Sequence, residues 1–176
     1  MAASLGLPAP ERLISARADE CTFAFLPGLV GPPARPGLKA PALLPCGDRV
    51  LFTGWFDNQA EIAARLGVPN NDAATVYGHA ANRWGDATEL HVVGEYCAVI
   101  DRPHRGQVRL ARSPLSAPPL HYHRSRLGVA AASTPRALFA LGLPQELDEG
   151  RLAMHLHAAA HDAEGGWYKG IEALQP

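Results

Sequence analysis

The chain has 176 residues, 47% of them hydrophobic, with 16 basic side chains against 17 acidic ones and a formal net charge of −1. That length builds one domain with a sizeable core, and the composition is globular, not disordered. Charges of both signs are mixed along the chain. There is no basic stripe for a nucleic-acid backbone and no apolar run of membrane-spanning length, which excludes nucleic-acid and membrane partners.

The first residues lack a basic region followed by an apolar stretch, so a cytoplasmic location is expected. Three cysteines, Cys21, Cys46 and Cys97, are too few and too widely spaced for a disulfide framework or a zinc knuckle. Residues 1–20 are rich in Ala, Leu and Pro and read as an N-terminal arm, either a short helix or loose chain. Cys21 to Leu26 reads as a strand. Pro27 to Pro45 holds many prolines and glycines and reads as a long loop. Arg49 to Gly54 is the next strand.

Asp57 or Asn58 then caps a short helix with Ile62, Ala63 and Leu66 on its apolar face, ended by Gly67. Asp72 caps a second helix running to Trp84, with Val76, His79 or Ala80, and Trp84 on one face and Gly85 as its stop. Val92 to Asp101 is a strand, with Cys97 as a buried thiol. Arg102 to Gly106 is a turn. The stretch from Val108 to Arg112 is a strand interrupted by Ser113-Pro114 and Ala117-Pro118-Pro119, because proline has no N–H for a ladder. Leu120 to His123 and Leu127 to Ala132 are two more strands. Thr134 and Pro135 open a helix as N-cap and first helical residue. Asp148 caps the next helix, and the tail from Trp167 holds a short strand at best. Hairpin spacing predicts antiparallel sheets, and the architecture is α+β.

The chemistry-bearing residues do not assemble into a site by spacing alone. His157 and His161 lie four apart on one helix face, as metal ligands do, but no third ligand and no intervening glutamate accompany them. No metal site is expected. His121 and His123 alternate along a strand and point to one side of the sheet. Cys21 heads a strand, but the acidic Asp19 and Glu20 beside it would raise a thiol pKa, and no histidine is tied to it. Asn70, Asn71 and Asp72 are turn and cap residues. Trp55 and Trp84 read as core or lid aromatics, and Glu95 as part of a solvated face. No catalytic residue is assigned, and substrate-binding residues are not identified.

The order of the pieces carries a resemblance. LFTGWFDN at 51–58, VYGHAANRWGD at 76–86, the run from Gly94 to His123, LGVAAASTPRALFALG at 127–142 and the tail WYKGIEALQP follow one another as in the amino-terminal domain of asparagine synthetase B, which residues 21–176 resemble. The resemblance implies the N-terminal-nucleophile (Ntn) hydrolase fold, a four-layer αββα sandwich of two antiparallel sheets. Active members attack glutamine with an N-terminal cysteine, and the ammonia travels to a second, ATP-using domain.

This chain departs from that pattern. It begins Met1-Ala2, and Cys21, where the nucleophile strand would start, has no free α-amino group unless the chain is cleaved after Glu20. Thr53 stands for the asparagine of the oxyanion turn, although Gly54 is kept, and Trp55 stands for the glutamate. Counting back from Trp84-Gly85, Ala73 stands for the aspartate that holds glutamine. Losing one oxyanion donor alone costs about 2–4 kcal/mol of transition-state stabilisation.

The resemblance therefore implies a degenerate, non-catalytic glutaminase-like domain of an ATP-dependent amide-forming enzyme, closest to lasso-peptide cyclases and β-lactam synthetases. No cofactor is expected in this domain. ATP and Mg belong to a C-terminal synthetase domain that the chain lacks, and that domain, in cis or in trans, is the expected partner together with a precursor peptide. The pyrophosphate-binding Ser-Gly-Gly-x-Asp-Ser run does not occur, which suggests a fragment or an excised domain. The alternatives are a working glutamine-hydrolysing domain with Cys21 as nucleophile after processing, and a free-standing peptide-binding module.

Overall fold

The computed structural model describes residues 14–18, 21–25, 41–115, 119–157 and 166–176. Strands β1 (Ile14–Ala18) and β2 (Cys21–Phe25) form an antiparallel hairpin whose register runs from Ile14↔Phe25 to Ala18↔Cys21. The end of the supposed arm is thus a strand, not a helix or loose chain. Five residues are too few to hold a helix by propensity, and the ladder satisfies their backbone instead. A second correction falls inside the expected long loop. Its last residues include β3 (Ala42–Leu43), paired with the start of β4 (Arg49–Phe56). Residues 26–40, Pro118 and His161 lie outside the described residues, as does the side chain of Cys21.

Helices α1 (Gln59–Leu66) and α2 (Ala73–Trp84) follow, each stopped by a glycine as expected: Gly67 is left-handed at φ 67° and Gly85 has φ 58°. A 3-10 turn, Gly85–Leu90, leads to β5 (Gly94–Arg102). That strand starts two residues later than Val92, because Val93 gives its carbonyl to the N–H of Asp57 and its own N–H to the side chain of Asn58. After the Pro103–Arg105 turn come β6 (Gln107–Arg112), β7 (His121–Ser125) and β8 (Gly128–Ala132). Next are α3 (Pro135–Phe139), α4 (Glu149–Leu156) and β9 (Glu172–Ala173). Asp148 caps α4 by accepting the N–H of Arg151 at 3.0 Å. Thr134 holds the N-cap position of α3 without a side-chain hydrogen bond.

The main sheet has the order β3-β4-β5-β6 and the smaller one β8-β7-β9, with every pairing antiparallel. These two antiparallel sheets with their helices are the α+β arrangement expected, consistent with an Ntn-type sandwich. Alternate residues of the central strands build the core. Phe52 and Phe56 of β4 and Tyr96, Ala98 and Ile100 of β5 pack against Ile62 of α1 and Val76, Tyr77 and Ala80 of α2. Each large apolar side chain so buried contributes about 1.5–3 kcal/mol. Gly78 sits mid-helix in α2 because a Cβ there would meet Val50 at 2.7 Å and Leu44 at 2.8 Å. The missing side chain lets the helix lie directly on β4. Trp55 does not join this core; it is 55% exposed. Trp84 does pack against it, half-buried, with the His91 ring 4.4 Å away and the Arg65 guanidinium 5.1 Å over its face.

Candidate active site

The end of β4 carries Thr53, Gly54 and Trp55, and α2, which packs on β4, begins at Ala73. Gly54 is required where it stands. Its φ is 112°, and an added Cβ would run into the carbonyl of Glu95 and lie 2.7 Å from the Cα of Tyr96. The two backbones therefore approach more closely than any side chain allows. Asn58, expected as a cap, takes the N-cap position of α1, but its amide ties the neighbouring loop instead. It donates to the His91 carbonyl and accepts from the Val93 N–H, both at 2.9 Å.

Asp72 is the N-cap of α2, and its carboxylate is doubly engaged by Thr75. It accepts the N–H at 2.8 Å and the hydroxyl at 2.7 Å. The first helical residue is Ala73, which has nothing to offer an ammonium group. With its oxygens turned to the cap, Asp72 is held in a structural role.

Across the sheet, register places Thr53, Cys97 and Arg112 in one row on the face turned away from α1 and α2. Cys97 is buried, and burial pushes its thiol up to about 11, against the opposing pull of Arg112. A thiol so protonated at neutral pH is no nucleophile. Arg112 donates to the Leu174 carbonyl at 3.0 Å, joining the main sheet to the tail that follows β9. His121 is half-buried, and its Nδ1 has no hydrogen-bond partner. Burial first, and Arg112 second, lower its pKa below the ordinary histidine value. Ser113, fully buried, donates its hydroxyl to the Gly94 carbonyl at 2.5 Å and fixes the start of the proline-rich turn.

Two further histidines hold structural bonds. His123 meets the Gly170 carbonyl at 2.7 Å, and His157 meets the Ala153 carbonyl at 2.8 Å. Among the described residues no group of three or more His, Cys, Asp or Glu is placed to hold a metal ion. Cys46 is exposed and accepts a hydrogen bond from Asn82 at 3.3 Å.

The sequence reading missed a part-buried polar network that runs from the core ring of Tyr77 to the exposed Asp86. Tyr77 donates to Glu89 at 2.6 Å, Arg109 holds the other Glu89 oxygen at 2.7 Å, and Arg109 also reaches Asp86 at 2.6 Å. Burial, and then the Glu89 charge, push the Tyr77 hydroxyl far above its usual range. The network clamps the Gly85–Leu90 turn to α2 and β6. Its only sequence signal is Arg109 at a core-facing position of an otherwise ordinary strand. The missing regularity explains the miss, since three of the four residues lie on different elements.

No curated protein matches this chain. The model of the glutamine amidotransferase domain family matches residues 51–176, from the middle of β4 through the tail and thus outside Cys21, and the chain belongs to that family.

Proposed function

We propose that this is a glutamine amidotransferase domain that no longer hydrolyses glutamine. In this reading it serves as the non-catalytic amino-terminal domain of an asparagine synthetase-like, ATP-dependent amide-forming enzyme of the lasso-peptide cyclase kind. The observation that carries the reading is the state of the inherited pocket positions. By the resemblance Thr53 and Trp55 stand for the asparagine and glutamate of the oxyanion turn, and Ala73 opens α2 beside an Asp72 already engaged as its cap. An enzyme that joins a carboxylate to an amine already on its substrate needs no ammonia, so nothing maintains such a pocket. The synthetase partner would supply ATP and Mg chemistry, while this domain would help shape the substrate entrance.

The test is the glutamine requirement of amide formation when this chain is combined with its synthetase partner and ATP. Product formed at the same rate with and without glutamine supports the reading. Product that appears only when glutamine is present contradicts it.

A further inference from the structure

Beyond Thr53 the face of the main sheet turned away from α1 and α2 emerges into solvent. Register sets Trp55 opposite Glu95. One step further, the Asp57 N–H donates to the Val93 carbonyl at 2.8 Å. Trp55 and Glu95 share that face by strand alternation, and Asp57 and Val93, joined by that hydrogen bond just beyond the last ladder pair and exposed like Trp55, extend it into a patch of two apolar and two acidic groups. Trp55 is 55% and Val93 53% exposed. Asp57 is exposed and Glu95 half-buried. Directly opposed residues have Cβ atoms about 4.5–5.5 Å apart, so Trp55 and Glu95 are cross-strand neighbours.

Among the described residues neither Asp57 nor Glu95 takes part in an ion pair or a side-chain hydrogen bond. An indole face beside two uncompensated carboxylates is complementary to a cation, which gains from the ring quadrupole and from both charges. A purely apolar partner would bury the carboxylates unpaired, and an acidic one would be repelled.

We propose that this patch binds the basic side chain, guanidinium or ammonium, of a peptide partner. The choice of a peptide rests on the function proposed above; the choice of a cation rests on the patch alone. The test uses the whole chain labelled at its indole nitrogens. The probes are a blocked Ala-Leu-Arg-Leu-Ala peptide and its counterpart with neutral citrulline in place of arginine. The expected result is a saturable shift of the Trp55 signal with Trp84 and Trp167 unmoved, and binding of the citrulline peptide about tenfold weaker. Glu95→Gln and Asp57→Asn each weaken the arginine peptide several-fold at unchanged thermal stability, and added salt weakens it further. Equal binding of the two peptides, or a Trp55 signal that does not move, overturns the proposal. Selective binding of the arginine peptide in a protein that also needs glutamine would sink the functional reading and leave this one standing.

Discussion

Two buried tyrosines make the sharpest test of the energetics. Tyr77 and Tyr96 are both fully buried, with ring centroids 5.3 Å apart, and both pack on Phe52. Their hydroxyls differ. Tyr77 donates to a carboxylate that is itself held by Arg109, whereas the Tyr96 hydroxyl has no protein partner. Tyrosine to phenylalanine leaves the ring packing in place and removes only the oxygen. Tyr77→Phe deletes a hydrogen bond to a charged group and leaves Glu89 short of a donor, which costs about 1.5–3 kcal/mol. Tyr96→Phe removes a hydroxyl that is stripped of water and given nothing in return. That variant is expected to be as stable as the parent or more so, by up to about 1 kcal/mol. Urea unfolding followed by tryptophan fluorescence measures both, with unchanged m-values showing that the same transition is compared. Equal losses for the two variants would refute the reasoning, because the rings are equivalent and only the hydroxyl partners differ.

Further outcomes follow from single positions. Gly54→Ala forces a Cβ into the β5 backbone and is expected to unfold the sheet end or cost more than about 3 kcal/mol. Gly67→Ala meets nothing within 4 Å and carries only the left-handed backbone penalty of about 1 kcal/mol, readable in the same urea titrations. The Cys97 thiol, raised by burial from 9.0 to about 11, stays protonated in the fold while the unfolded chain ionises. Its contribution to stability is therefore full below about pH 9 and is lost as the pH rises towards 11, by about 1.4 kcal/mol per pH unit. A thiol reagent at mildly alkaline pH should label Cys46 in the folded protein and Cys97 only on unfolding. Asp72→Ala removes the α2 cap and should lower stability by about 0.5–2 kcal/mol, a loss that calorimetry would register and that an unchanged melting curve would deny.

Most of the elements from Arg49 onward were legible in the sequence because their signals are local. Asp72, Gly67 and Gly85 delimit α1 and α2 by backbone chemistry that any context preserves. The ladder of β5 and β6 follows from alternation on either side of a turn built on Pro103 and Gly106. What escaped was set by distant partners. Ile14–Ala18 is a strand because Cys21–Phe25 pairs with it, and Ala42–Leu43 because Arg49 and Val50 do. Trp55 looks like a core residue by composition, yet strand parity places it with Thr53 on the opposite face from Phe52 and Phe56. Asn58 was legible as a turn residue, but not its grip on the loop 33–35 residues away. Thr53, Trp55 and Ala73 carry no chemistry that spacing would flag, and only the resemblance in the order of motifs singles them out. In the fold Thr53 and Trp55 lie near the end of β4 and Ala73 is the first residue of α2.

The most direct test of the central claim is ammonia release from glutamine by the purified chain, with the intact mass recorded on the same sample. The account predicts a chain starting at Met1 or Ala2 that releases no ammonia above the uncatalysed background. Ammonia release from a chain beginning at Cys21 would contradict it and make that cysteine the nucleophile of a working glutaminase.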